Sequence, residues 1–417
     1  MIARIASIVF IFICTSIAWV ILGATIFHRT FDSDANLRGK VESSWGTAHT
    51  QERPHAWHEE QRERQVETKE DHKVSTRTVT ETITHALPLE SSAVDVTIDL
   101  EHRQKGLLWY STYRVALGGE YTFRNNTSAP RDIFFRLPLP AQRAMYDDLV
   151  FLLDGQPVTV EHTAKGVQGM RRLDPGATAV LKVGYRSHGL GSWRYSFGED
   201  VSEVRNFRLH AVTNFKGLDF AEDTLSPTEK TETADGWDLT WTYKNLVSGF
   251  QIGVTMPEKI QPGPLAGRIS FFAPVSLFFF FFLMFLITTI RGIPLHPLNY
   301  FFLAAAFFAF HLLLAYLVDH ISIHAAFLIS SLTSVFLVIS YLRLVTGLRF
   351  AAMEAGLTQL VYLVLFSYAF FFEGFTGLTI TIGSILTLFV VMQMTGRINW
   401  EEKFTVPARI PPVPSAR

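Results

Sequence analysis

The chain has 417 residues, 48% of them hydrophobic and 18% charged, with a net charge of −1 and a mean hydropathy of +0.20. Near-neutral charge with no Lys/Arg-dense face excludes nucleic acid as a partner. A single cysteine, Cys14, excludes an internal disulfide, and no repeat stands out at solenoid periods.

Ile5–Phe27 is a nearly unbroken apolar run behind Arg4. Its 23 residues exceed a signal-peptide core of roughly 7–15, so residues 1–28 read as an uncleaved transmembrane anchor. The small residues at Gly23–Thr25 leave a cleaved signal open as the competing reading. Residues 29–93 follow as a polar stalk. Within it Trp57–Lys73 is almost wholly polar, and the Glu60–Arg64 pair fits either a solvated helix or a tether. His49, His55, His58 and His72 match no tight metal-ligand spacing.

From Val94 the pattern changes. Val94, Val96, Ile98 and Leu100 alternate with Asp95, Thr97 and Asp99, the period-two mark of a half-buried strand. Gly118-Gly119 and Asp154-Gly155 each sit between apolar runs and predict hairpins. Asp174-Pro175-Gly176 predicts a turn into Ala179–Tyr185. Trp193–Phe197, Phe207–Thr213, Leu239–Tyr243 and Phe250–Met256 continue the series of short strands. Residues 94–269 therefore read as an all-β, sandwich-like domain. Trp193, Tyr195, Trp237, Trp241 and Tyr243 either line a ligand groove or fill its core.

Residues 270–395 carry five more apolar stretches: Ser270–Ile290, Leu298–Val318, Ala325–Leu342, Leu357–Phe372 and Phe375–Met394. A helix rising 1.5 Å per residue needs about 20 residues to cross a hydrocarbon core of about 30 Å. Between the third and fourth spans lies the polar break DHISIH, which cannot sit in lipid because its backbone would go unsatisfied. Residues 396–417 form a Pro-rich tail, extended through Pro407–Pro414.

Short loops carry positive charge on one side. Arg4, Arg291, Arg343, Arg349, Arg397, Lys403, Arg409 and Arg417 fall together if the amino terminus is inside, and Asp319–His324 and Glu373-Gly374 on the other side have no Lys or Arg. Both termini are then expected in the cytoplasm, with residues 28–269 periplasmic in a bacterium.

No nucleophile elbow, phosphate loop or HExxH occurs, and no enzyme activity or cofactor is expected. The sharpest polar cluster is Asp319, His320 and His324, with Glu373 on the same face. If the chain stays helical there, His320 and His324 stand at i,i+4, a spacing that can hold a metal. The plainer reading is a polar hairpin whose groups cap helices. His311 lies mid-span and is a functional candidate by its position, or a neutral hydrogen-bonded packing residue. Ser330, Ser331, Thr333 and Ser334 read as a close-packing face.

The stretch from Leu295 to Leu342 resembles the CreD-like bacterial inner-membrane proteins, in an HP-x-[QN]-Y start to a span (His296, Pro297, Asn299, Tyr300) and an acidic-His pair (Asp319-His320). Gly396–Glu401 is similar to that family's closing Arg-x-[IL]-[ND]-Trp signature, and Val41–Gly46 to its Ser-Trp-Gly element behind the anchor. The resemblance covers about Arg291–Trp400 well. It implies an envelope-stress protein, linked in the family to β-lactam response and colicin tolerance, without established catalytic residues.

The expected fold is therefore membrane α-helical, an N-terminal anchor plus a five-helix bundle, with an inserted periplasmic β domain. The expected function is non-enzymatic: the β domain binds or senses an envelope protein or cell-wall component, and the bundle sits in the lipid bilayer. The alternative is a small transporter or permease-like subunit using His311 and the Asp319-His320 cluster. An envelope hydrolase ranks last, for want of a catalytic constellation.

Overall fold

The computed structural model describes residues 2–70, 73–105, 108–198, 202–372 and 374–396. They form two compact units. One comprises Met1–Asp34, Gly106–Leu108 and Ile260–Arg417, and the other Ala35–Lys105 and Trp109–Lys259.

The first unit is helical. Its helices are α1 (Ile2–Trp45, continuing into the second unit), α2 (Pro262–Arg291), α3 (Pro297–Leu317), α4 (Ile323–Thr346), α5 (Leu348–Phe371) and α6 (Thr376–Thr395). All six are long and apolar enough to cross a membrane. Their ends follow local chemistry. Pro262 opens α2, where a missing N–H costs nothing, and Gly292 closes it at φ 68°, its N–H returning to the Thr288 and Thr289 carbonyls. Ser322 caps α4 through its side chain. α5 starts nine residues before the expected Leu357, directly after Gly347 at φ 89°. Two stretches of it, Ala351–Gly356 and Leu360–Leu365, are wound as π turns.

The second unit is built on strands β1 (His49–Glu52), β2 (His55–Glu70), β3 (Lys73–Ala86), β4 (Leu89–Lys105), β5 (Leu108–Arg124), β6 (Arg131–Leu137), β7 (Tyr146–Leu153), β8 (Gln156–Pro157), β9 (Val160–Thr163), β10 (Gly166–Leu173), β11 (Thr178–Leu190), β12 (Ser192–Ser196), β13 (Ser202–Thr213), β14 (Glu229–Glu232), β15 (Trp237–Ser248) and β16 (Ile252–Thr255). An eight-stranded sheet has the order β14-β15-β13-β4-β5-β11-β7-β8, a five-stranded one β3-β2-β6-β10-β9, and a three-stranded one β1-β12-β16. Its core is aromatic: Trp193, Trp241, Tyr113, Tyr121, Tyr195, Phe123, Phe135 and Phe207 are fully buried. The alternation in β4 appears as expected, with Val94, Val96 and Ile98 inside and Asp95 and Thr97 outside.

Two expectations are corrected. Residues 29–93 are not a stalk: α1 runs to Trp45, and β1, β2, β3 and the start of β4 follow. β2 and β3 pair from Trp57↔Ala86 to Glu70↔Lys73, while β2 meets β6 only through His55–Trp57. Over residues 59–64 and 78–84 nearly every position is exposed, so polar residues suit both faces and no apolar alternation betrays a strand. Gly118-Gly119 is not a hairpin either. β5 runs straight through it, pairing Gly118 with Gly184 and Gly119 with Val183 of β11. A side chain on Gly119 would strike the ring of buried Tyr121, so this glycine makes room for a core residue.

Candidate functional site

In the helical unit the HP-x-N-Y stretch has a structural meaning. The His296 Nδ1 accepts the Leu298 N–H at 3.2 Å as the N-cap of α3, and Pro297 takes the first helical position. Asn299 Oδ1 accepts the Tyr341 hydroxyl at 2.7 Å, tying α3 to α4. Tyr300 is fully buried against the edge of Phe281, with centroids 5.2 Å apart.

The polar break does not form the i,i+4 histidine face. α3 ends at Leu317 and α4 begins at Ile323, so His320 lies in the turn and His324 in the first turn of α4. His324 stacks on Phe371 at 5.2 Å. Asp319 turns instead to Arg29 of α1, at 3.1 Å, and the same guanidinium nitrogen reaches the Ala315 carbonyl at 3.0 Å. Glu373 lies outside the described residues, as do the closing signature beyond Gly396 and the tail. Among the described residues no three His, Cys, Asp or Glu side chains gather as metal ligands. The Arg29–Asp319 pair fastens α1 to α3. Removing either partner is expected to cost about 1 kcal/mol, below the roughly 1.5–3 kcal/mol of a hydrogen bond to a charged group because both side chains are partly exposed. A double-mutant cycle of Arg29→Gln and Asp319→Asn, read by thermal unfolding in detergent, checks this. A coupling near zero would detach the pair from stability.

His311 is fully buried in α3. Its Nδ1 donates to the Phe307 carbonyl at 3.0 Å, which fixes the neutral tautomer, and its ring meets the edge of Trp19 at 5.7 Å. Beside it runs a polar thread. Ser334 donates to the Ala306 carbonyl at 2.6 Å and accepts from Gln359 Nε2 at 2.7 Å, so one hydroxyl joins α3, α4 and α5. Ser276 of α2 donates to the Tyr362 carbonyl of α5. Sequence reasoning missed Gln359 because it looked for ionisable groups, and an amide bonds across helices without being one. Glu354, in the first π turn of α5, pairs with Arg291 at 2.6 Å.

In the β unit the aromatic set resolves toward the core. Trp193, Tyr195 and Trp241 are fully buried. The open concavity lies elsewhere: a cleft of about 1050 Å³ lined by residues of β1, the 138–146 loop and the 163–166 turn, including Glu52, His55, Arg136, Tyr146 and Lys165. Each wall is fixed from behind. Arg136 is forked on Gln168 Oε1, the shorter contact 2.7 Å, and lies over the Trp57 ring at 4.5 Å. The Tyr146 hydroxyl donates to the Ala141 carbonyl at 2.7 Å and accepts the Ala141 N–H at 2.9 Å, pinning the loop. Behind β1, Gln51 donates to the Pro138 carbonyl at 2.9 Å and accepts from Tyr185 at 2.7 Å. Burial, with Arg53 adding to it, holds His55 below the ordinary histidine range, so it faces the cleft neutral at pH 7. Two cations, Arg136 and Lys165, stand against one carboxylate, Glu52. These residues come from segments far apart in sequence, and two of them, Glu52 and His55, lie in the stretch that reads as stalk, so no local signal announces them.

The Ser44-Trp45-Gly46 element docks on the end of β11. Trp45 packs on His188 at 4.4 Å, and the Arg103 guanidinium lies 3.4 Å from the centre of its ring.

Comparison with solved structures gives weak likenesses. A candidate nutrient-binding protein of Legionella pneumophila superposes with a TM-score of 0.33 at 11% identity, over 47% of this chain and 71% of its own. An M1 zinc metallopeptidase mutant of Deinococcus radiodurans, bound to Tyr-Ser-Ala, gives 0.27 at 16% identity, over 40% of this chain and 42% of its own. Likenesses at this level carry no argument about fold or activity. A search of curated proteins finds no match. Residues 230–401 match the family described as inner membrane protein CreD; over that stretch the chain is similar to those inner-membrane proteins, and six of its helices are long and apolar enough to cross a bilayer.

Proposed function

We propose that the chain is a non-enzymatic receptor of the bacterial envelope, whose β unit lies in the periplasm and binds an envelope component in the cleft between β1 and the 138–146 loop. The observation that carries this reading is the cleft itself, about 1050 Å³ with Arg136, Lys165 and Glu52 at its walls. Its walls are held by hydrogen bonds from behind, so the cavity is ready before any ligand arrives, which lowers the ordering cost of binding. The cation excess suits an anionic partner, such as a carboxylate-bearing cell-wall fragment or an acidic peptide. The orientation is supported by Arg4, Arg291, Arg343 and Arg349, which gather at one end of the helices while the opposite turn Asp319–His324 carries no Lys or Arg. The membrane unit anchors the receptor and relays its state.

Cysteine labelling tests both parts. With Cys14→Ser as background, Lys165→Cys is expected to react with a membrane-impermeant maleimide in intact cells, and Leu348→Cys only after lysis. Lys165→Cys should also react several-fold more slowly in cells than in the purified protein, because an occupant shields it. The opposite sidedness would overturn the orientation, and equal rates would overturn occupancy.

A further inference from the structure

α1 and α2 run antiparallel without keeping a constant separation. At one end they touch through glycines: a Cβ on Gly23 would stand 3.1 Å from the Phe271 ring, and one on Gly267 would stand 3.2 Å from the Phe27 ring. Gly263 likewise faces Thr30 with no room for a side chain. Small residues let two helix backbones approach closely in lipid. Toward the other end the facing residues become large. Phe278, Phe281, Phe282 and Phe285 of α2 stand against Ile5, Ile8 and their neighbours on α1, and a groove of about 420 Å³ opens between the helices, lined by apolar side chains. The pair is a wedge, narrow at its glycines and wide at its phenylalanines.

A cation stands at the wide end. Arg4 lies 5.6 Å over the Phe285 ring and donates to Thr288 Oγ1 at 3.3 Å. Among the described residues Arg4 forms no ion pair, and the Glu354 carboxylate of α5 is taken by Arg291 at 2.6 Å. An apolar crevice ending at an uncompensated guanidinium has the shape and polarity of a phospholipid: a chain in the crevice, a phosphate at the arginine. A guanidinium binds phosphate by a charge-assisted fork, and its charge favours lipids that are themselves anionic.

We propose that the groove between α1 and α2 is a binding site for an anionic phospholipid, with one acyl chain lying between Ile8 and Phe282 and the headgroup phosphate held by Arg4. The site belongs to the helical unit alone and stands whatever the β unit binds. Lipid rather than a second copy of the chain is favoured by Arg4, since a protein helix here would bury that charge without offering it an anion.

The test is native mass spectrometry of the purified full chain in detergent, titrated with palmitoyl-oleoyl phosphatidylglycerol or phosphatidylethanolamine. Phosphatidylglycerol is expected to be retained about tenfold better. Arg4→Gln should bring the two lipids level, Arg4→Lys should keep part of the preference, and Val9→Trp, which fills the groove from α1, should lower retention of both. Glycerol 3-phosphate, which has the headgroup charge and no chains, should not compete. Equal retention of the two lipids by the wild type would overturn the site. So would a preference unmoved by Arg4→Gln and Val9→Trp in chains of wild-type circular dichroism, competition by glycerol 3-phosphate, or a dimer that loses its stability with Val9→Trp.

Discussion

Gly46→Val is expected to unfold or nearly unfold the β unit, with a loss of about 4 kcal/mol or more, at the severe end of single substitutions. Two causes act together. Gly46 sits at φ 112°, where a β-branched residue is strained. A Cβ there would also overlap the backbone carbonyl oxygen of His188 in β11. Because the obstacle is main chain, no rotamer change relieves it. Strand β1 follows at once and pairs in parallel with β12, His49 opposite Trp193, so a displaced Gly46 drags a wall of the cleft with it. Guanidinium unfolding of the full chain in detergent, followed by the fluorescence of the buried Trp193 and Trp241, reads the effect. Gly39→Ala, whose Cβ meets nothing within 4 Å in α1, is the matched control and should be neutral or slightly stabilising. A Gly46→Val chain as stable as the wild type would remove the Ser-Trp-Gly element from the architecture of the β unit.

The second large effect follows from pH. His49 is fully buried, stacked on Tyr146 at 6.4 Å and set edge-on to Tyr113 at 5.8 Å. Burial, with the neighbouring His188 adding to it, lowers its pKa from 6.5 to about 4. Above pH 6.5 folded and unfolded chains both carry it neutral, and it does not affect stability. Between pH 6.5 and about 4 the unfolded chain takes up a proton that the folded chain refuses, so stability falls with pH. At 1.36 kcal/mol per pH unit the full loss reaches about 3 kcal/mol by pH 4. His188 is lowered too, first by burial and then by Arg114, so its contribution is likewise lost as pH falls below 6.5. His49→Phe keeps an aromatic ring in the wall and removes the titration. The difference in unfolding free energy between wild type and His49→Phe should therefore shrink or reverse from pH 7.5 to pH 4. A difference independent of pH would show that His49 is protonated in the folded state. This group makes the wall of the cleft acid-labile.

What the sequence revealed, and what it hid, follow from which solvent shaped each part. Lipid accepts only internally bonded backbone, so the six spans stand out as apolar runs, and the helices cover each of them. Water is less demanding. The charged ribbon from Trp57 onward is a strand pair whose residues 59–64 and 78–84 are exposed almost throughout, and it looks like any solvated segment. Gly118-Gly119 mimics a turn because a glycine that yields space to Tyr121 is indistinguishable in sequence from one that adopts positive φ. The candidate residues fared according to range. His296 and Pro297 act on their own helix end, which is local and legible. Asp319 finds Arg29 across 290 positions, and Arg136 finds Gln168 across a sheet, which no spacing foretells.

α5 carries a consequence of its winding. Ala351, Ala355, Gln359, Leu363 and Ser367 are all buried, an interval of four residues held over the span. In an ideal α-helix each such step advances about 400°, so a four-residue stripe rotates by about 40° per step and by about 160° from first to last. Ser367 would then point away from the face that Ala351 presents. The two π turns absorb that angular drift, because each spreads one turn over more residues. Their effect is to let a stripe of buried side chains run straight along a helix whose pitch alone would have wound it out into the acyl chains.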